Sequence, residues 1–289
     1  MKTLDYVKDT DEKLEDSTVD LEIQNQTMNV NFYVSMAMFL AILRRDLLVQ
    51  SRQFIEYLLM VLFQPLFFLY VFGKILPGIG FASETYTAYL APGIIAMTAF
   101  LAGMQTIAFQ VGSEFGWTRE IDDRLLSPIR NWLLGLEKIV FGCIQSIIAA
   151  FIVTLLSILI LGHWYDGVEW NWFLLIVIVI FTGLSSAALG LTLGTVVNHK
   201  NIGIIFGVVL TPIIFLGGPF YPWSMLDDFI FLKMISLLNP LLYVSEGFQL
   251  AMLPDSTTMD IGYILLGITL TFGLFSYLGI KGFIKRARQ

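Results

Sequence analysis

Histidine and cysteine are nearly missing from this chain, and charge is scarce throughout. Its 289 residues include two histidines, one cysteine and a charged fraction of only 14%, where an ordinary soluble domain is about a quarter charged. A single cysteine, Cys143, excludes an intrachain disulfide and, set in an apolar run, reads as a small buried hydrophobe. His163 and His199 each lack a second His, Cys or carboxylate at ligand spacing, so no metal site is indicated. No GxxxxGK[ST] sequence occurs, so the glycine-rich loop and lysine that cradle nucleotide phosphates are missing. Nothing points to a nucleic-acid partner.

What remains is apolar: 56% of the residues are hydrophobic, gathered in blocks near the ~20 residues that a helix needs to cross ~30 Å of hydrocarbon. Alternating ten-residue segments, the mark of a membrane β-barrel, are not seen. The fold expected is an all-α polytopic membrane protein with six spans at about 55–76, 88–112, 138–161, 172–197, 202–217 and 261–282. The domain plan is an acidic tail over 1–30 and one transmembrane domain over 31–289. Eight acids against three lysines give the tail −5 of the net −6, and with no apolar stretch it reads as a solvated extension.

Residues 32–53, FYVSMAMFLAILRRDLLVQSRQ, carry Arg44, Arg45, Asp46 and Arg52 at one end. They read as an amphipathic helix in the membrane interface, or alternatively as the start of a longer, tilted first span. The lysines and arginines then set orientation: fifteen fall on the side of the termini, and only Lys74 and Lys233 on the other. Both termini are therefore expected in the cytoplasm.

Two connections stand out. GSEFGWTREIDDRLLSPIRNWLLGLEK, residues 112–138, holds nine charged residues between two apolar runs. Its first half reads as a short cytoplasmic helix with Glu114 near its start and Ile121 and Leu125 on one face. Ser127-Pro128 then reads as an N-cap with Pro in the first turn of the next helix. The second connection, FLGGPFYPWSMLDDFIFLKMISLLNPLLYVSEGFQL, is too broken by Gly217-Gly218-Pro219, Pro222 and Asn239-Pro240 to span cleanly, and too apolar for an aqueous loop. Two short helices that enter the membrane from outside and return would fit.

The spans carry essentially no charge away from their ends, which argues against an ion-coupled pump or a voltage sensor. Uncharged polar groups do occur at depth, among them Gln64, Thr98, Gln105, Gln110, Gln145 and Thr211. They serve either interhelical hydrogen bonds or a polar stripe along a substrate path. Gly190 and Gly194, at GxxxG spacing, read as close helix packing, within the protomer or across a dimer.

The ordered set of YLAPGIIAMTAF (89–100), REIDDRLLSPIR (119–130), TPIIFLGGPFYPW (211–223) and LLNPLLYVSEGF (237–248) resembles the permease subunits of type-2 ATP-binding-cassette exporters, a group that moves antibiotics, lipids and polysaccharides. The match runs over Glu120, Arg124, Leu125, Leu126, Ser127 and Pro128, with Asp122-Asp123 where the family's usual glycine stands.

The resemblance implies a transport subunit rather than an enzyme. Its nucleotide-binding ATPase would be a separate chain carrying ATP and Mg, with no cofactor held by the permease itself. A second permease copy, identical or related, would complete the path in the cytoplasmic membrane of a prokaryote. The coupling helix would lie in 113–126, with Glu114, Arg119, Glu120, Asp122, Asp123 and Arg124 at the ATPase contact. Residues 217–240 would form the external gate, including Gly217, Gly218, Pro219, Phe220, Tyr221, Pro222, Trp223, Asn239 and Pro240, and Arg44, Arg45 and Arg52 would mark the interfacial helix.

Candidate path residues are Gln64, Phe68, Thr98, Gln105 and Thr211, which suit an amphiphile such as a hydrophobic drug or a lipid-like molecule. A lipid-linked glycan is the alternative cargo. An ATP-independent channel is a more distant one, and a membrane enzyme or assembly scaffold more distant still.

Overall fold

A computed structural model describes residues 32–81, 84–116, 120–125, 129–162, 169–197, 202–253 and 257–287. The acidic tail, Arg119, Ser127-Pro128, His163 and His199 lie outside the described residues. The described residues are helical, with no strands among them.

Helix α1 is Phe32–Arg52, and a turn at Gln53 separates it from α2. Helix α2, Phe54–Gly78, is continuous but loosens into a π-helical turn over Val71–Ile75. The long helices α3 (Glu84–Gly116), α5 (Asn131–Leu161) and α6 (Trp172–Val196) follow. Between α3 and α5 sits the six-residue helix α4, Glu120–Leu125. The chain continues through α7 (Ile202–Leu216), a 3₁₀ turn at Trp223–Leu226, α8 (Ile230–Ser236), α9 (Pro240–Met252) and α10 (Ile261–Arg286).

Among the described residues, five helices are long and apolar enough to cross a membrane: α2, Tyr86–Gly116 of α3, α5, α6 and α10. The expected fifth span, 202–217, is the shorter helix α7. Its 15 residues reach about 22 Å at 1.5 Å per residue, short of the hydrocarbon thickness. The external segment also differs in detail from the expectation. Its two α-helices are α8 and α9, and the second runs beyond residue 240 to Met252.

The bundle is organised around α3 and α6. Close backbone approach explains why: a Cβ on Gly190 would stand 2.3 Å from the Met104 carbonyl oxygen, and one on Gly194 would stand 3.0 Å from that of Ala108. The GxxxG spacing thus serves packing within this chain. Helix α5 closes against both, with Gly142 facing Ile107 and Ala187, while α10 lies along α6 and α9 along α3. Helix α3 is therefore buried almost continuously from Leu90 to Met104. Helices α2 and α10 are peripheral. Ile55, Leu59, Phe63 and Phe67 on one, and Tyr263, Leu266, Leu270 and Leu274 on the other, form exposed apolar stripes, as suits a hydrocarbon surround.

Arg286 finishes one end of the bundle. Its Nη1 donates to the carbonyls of Gly194, Thr195 and Val197 at 2.9, 3.3 and 3.2 Å, satisfying the last turn of α6. The C-termini of α3 and α10, the N-terminus of α5, and α1 gather at the same end, where Phe115 meets Phe283.

Candidate functional site

That end of the bundle holds a buried ion cluster assembled from four helices. Asp46 comes from α1, Glu114 and Gln110 from α3, Arg124 from α4, and Glu137 and Lys138 from α5. The five charged side chains are between 0 and 6% exposed. Arg124 donates to both oxygens of Asp46, at 2.9 and 3.1 Å, and lies 3.1 Å from Glu114 Oε1. Lys138 Nζ reaches Asp46 Oδ2 at 2.8 Å and Glu114 Oε1 at 2.7 Å. Gln110 Nε2 donates to the same two carboxylates at 2.8 and 3.1 Å.

Glu137 is held more loosely, 3.6 Å from Lys138 and 3.9 Å from Arg124, and its oxygens accept no hydrogen bond. Buried charges are tolerated only when paired and hydrogen-bonded, and Asp46 meets both conditions. Burial pushes its carboxyl up, but Lys138 and Arg124 outweigh that and hold it below the usual carboxylate range.

The cluster fixes the short helix α4 from beneath. Ile121 is buried beside Ile107, Val111 and Leu133, while Glu120 stays half-exposed and pairs with Arg45 of α1 at 3.0 Å. Glu114 and Arg124 therefore face into the protein. Glu114 also belongs to the end of α3 and not to the short helix, which starts only at Glu120. Asp122 and Asp123 lie on α4, but their side chains are outside the described residues, as is Arg119. Of the interfacial arginines, Arg44, Arg45 and Arg52 are all exposed.

Sequence reasoning missed the partners. Asp46 was legible as one charge among several, Gln110 as a polar residue at depth, and Glu137-Lys138 as the opening of a span. The available signal was Asp46 itself, the one carboxylate in residues 32–53, which needs a cation once the helix packs.

The path candidates divide. Gln64 of α2 and Thr98 and Gln105 of α3 line one small cleft of about 30 Å³, together with Pro65, Met97 and Leu101. Phe68 instead joins Phe72 and Phe220 in an aromatic group, with centroids 5.8 and 5.4 Å away. Thr211 stands apart on α7, where its hydroxyl donates to the Gly207 carbonyl at 2.9 Å.

At the other end of the bundle, residues 217–223 form a turn pressed onto α3 and α9. Gly218 sits at φ +68°, the left-handed region that favours glycine. A Cβ on Gly93 of α3 would lie 2.1 Å from the Pro219 carbonyl oxygen, and one on Gly217 would meet Leu241 at 2.7 Å. Tyr89 donates to Gln249, whose Nε2 donates to the Gly218 carbonyl at 3.4 Å. Tyr221 donates to the Phe215 carbonyl. Pro222 leads into the 3₁₀ turn, whose first residue, Trp223, donates its backbone N–H to Glu246 Oε1 at 2.9 Å. The Met259 N–H reaches Glu246 Oε2 at 2.9 Å. Asn239 donates to the Ile213 carbonyl at 2.8 Å and accepts from Leu241 N at 3.0 Å, capping α9 with Pro240 in its first turn.

No group of three or more His, Cys, Asp or Glu side chains able to hold a metal occurs among the described residues. Cys143 is buried, with its sulfur 3.6 Å from the Ile180 carbonyl.

Comparison with known proteins agrees with this architecture. The family model described as ABC-2 type transporter matches residues 37–253. The inner membrane transport permease YadH of Escherichia coli K12 is 24% identical over 212 residues, covering 71% of this chain and 77% of the relative. The YadH permeases of Escherichia coli O157:H7 and Shigella flexneri match to the same extent. With a buried multi-helix anchor at one end, an apolar bundle and a family match over most of its length, the chain belongs to the ABC-2 type transporter family, as a multi-pass membrane permease subunit without an ATPase domain of its own.

Proposed function

We propose that this permease exports an amphiphilic molecule, and that α4 is the lever through which a separate ATPase subunit drives it. ABC permeases work with ATPase subunits; ATP and Mg²⁺ bind on that partner. The observation that carries the reading is the anchoring of α4 by Arg124 in a buried ion cluster shared by α1, α3 and α5. A six-residue helix held only by solvent would swivel under load. One pinned to three helices passes displacement on to all of them, and a partner shifts that equilibrium only by gripping the two states differently.

Glu114 and Arg124 then serve as the anchor. Glu120 and Arg45, each about half exposed, are the outward groups available to the partner, where charge fixes orientation and encounter more than net affinity. Asp122, Asp123 and Arg119, charged neighbours of Glu120 in the sequence, are further candidates for that contact. The termini and α4 lie in the cytoplasm, as the lysine and arginine distribution indicates.

An amphiphilic cargo is supported by the uncharged cleft at Gln64, Thr98 and Gln105 beside the aromatic group of Phe68, Phe72 and Phe220. A second permease copy lies across the path, and residues 217–223 with α8 and α9 close its outer end. Helix α7, with its Pro212, completes a sixth, short crossing.

The test is gentle-detergent purification from native membranes. A soluble ATPase is expected at one per permease, lost on Glu120→Lys with the permease still folded. In liposomes the assembled complex should move a fluorescent lipid or hydrophobic dye only with ATP. A permease that purifies alone and moves solute without ATP would overturn the reading.

A further inference from the structure

Glu246 is 1% exposed on α9, and no ion pair involves it among the described residues. A buried carboxylate without a cation is costly unless hydrogen bonds replace its water. Here each oxygen takes one backbone N–H, and the two donors come from different segments. Trp223 opens the 3₁₀ turn that follows the 217–222 turn, and Met259 stands just before α10.

Gln249, one helical turn further along α9, holds the other end of the same turn through the Gly218 carbonyl. Residues three apart share a helix face, so one face of α9 grips the turn at both ends. The geometry suits an ionised carboxylate specifically. Glutamine offers one acceptor oxygen and would aim its amide donors at the second N–H, and aspartate is one methylene short.

We infer that Glu246 is a positioning residue of the transporter. Its two carboxylate oxygens latch the external turn 217–223 to the lead of the last helix, so that turn, α9 and α10 move as one unit until a bond is released. The inference rests on reading 217–223 as the outer gate.

Protonation gives the release a chemical handle. Burial pushes the Glu246 carboxyl up, and the two N–H bonds recover only part of that, leaving it above the usual carboxylate range. A proton turns one acceptor oxygen into a hydroxyl facing an N–H donor, so the latch holds while the carboxyl is ionised and slackens as the pH falls. The groups around it are Tyr89 on α3, hydrogen-bonded to Gln249; Tyr221 in the turn; Lys233 stacked on the Trp223 ring and paired with Asp227; and Asp260 beside Met259. Helices α6 and α7 carry no ionisable side chain.

The test uses the permease with its co-purified ATPase in lipid nanodiscs and a hydrophilic maleimide. Leu226→Cys reports on the turn, because Leu226 is only 8% exposed. Met225→Cys, where the native side chain is 67% exposed, corrects for thiol chemistry at each pH. With Glu246 present the Leu226-to-Met225 labelling ratio should be low while the carboxyl is ionised and climb as the pH falls, starting above the usual carboxylate range. Glu246→Gln should raise the ratio about tenfold, the scale of one lost hydrogen bond to a charged group, and remove its pH dependence.

A ratio that ignores both the substitution and pH overturns the latch. Should Glu246→Gln fail to fold, a flat pH profile in the Glu246 protein alone overturns it. Labelling needs no ATP turnover, so a latch that responds in a complex whose transport is unchanged by Glu246→Gln would sink the gate reading and leave the latch standing.

Discussion

Arg124 and Asp46, 78 positions apart in sequence, meet through two hydrogen bonds of 2.9 and 3.1 Å with both side chains buried. The first belongs to the six-residue helix between two spans, the second to the helix before the first span. That pairing makes a charged loop into part of the packed bundle.

Asp46→Asn leaves Arg124 and Lys138 buried with one anionic partner fewer, a change that costs about 3–5 kcal/mol when a buried pair is broken. We expect a lower melting temperature in detergent and a permease that no longer stimulates its ATPase. Glu137→Gln should behave oppositely. Glu137 accepts no hydrogen bond and is the third carboxylate against two cations, so its neutral isostere should shift stability by less than about 1 kcal/mol. Equal losses in the two variants would contradict the ranking of the partners.

Acid should loosen the same cluster. The folded Asp46 carboxyl is held below its unfolded value by Lys138 and Arg124 against the effect of burial. The stability it contributes is present above the unfolded carboxylate range and lost as pH falls through the folded value. Melting temperature followed against pH should drop on the acid side, and Asp46→Asn should flatten that limb.

Gly93→Ala places a methyl 2.1 Å from the Pro219 carbonyl oxygen, where backbone must move. Overpacking of this kind costs about 1–3 kcal/mol. The expected result is a permease that still captures its ATPase but transports poorly, because the strain falls on the 217–223 turn, at the end of the bundle away from α4. Transport at the native rate would show that the turn shifts freely.

Two glycines test the packing argument against each other. Gly190→Ala meets the Met104 carbonyl oxygen at 2.3 Å, whereas a Cβ on Gly203 meets nothing within 4 Å. The first should destabilise the α3–α6 contact. The second should be neutral or stabilising by up to about 1 kcal/mol, from helix propensity alone. Thermal unfolding of the two purified variants decides it.

The helices were readable because hydrocarbon forces long apolar runs, and α3, α6 and α10 fall within about four residues of their expected limits, while α5 starts at Asn131, seven residues before the expected 138. Helix α7 was less so, since Pro212 and the glycines on either side shorten it below a clean span. The ion cluster was hidden for a different reason: its members come from four helices, and only tertiary packing brings Asp46 within 2.8 Å of Lys138. Gln64, Thr98 and Gln105 did converge on one cleft, because polar residues on α2 and α3 at similar depth face one another. Phe68 and Thr211 did not join them, since nothing in their spacing fixes which way each helix turns. Glu246 was visible within LLYVSEGF, but its two backbone donors lie 23 positions before it and 13 after, beyond any local pattern.

The ion cluster also has a birth order. Asp46 emerges early in synthesis, and Lys138 follows 92 residues later. Until α5 emerges, Asp46 can meet Gln110 and Arg124 but lacks Lys138, and the cluster has one cation fewer. The first two spans are thus made before this end of the bundle is complete, and the arrival of the third adds Lys138 to both Asp46 and Glu114. A chain interrupted before residue 138 would lack that fastening, which gives the cell's quality control a defined stage at which an unfinished permease differs from a finished one.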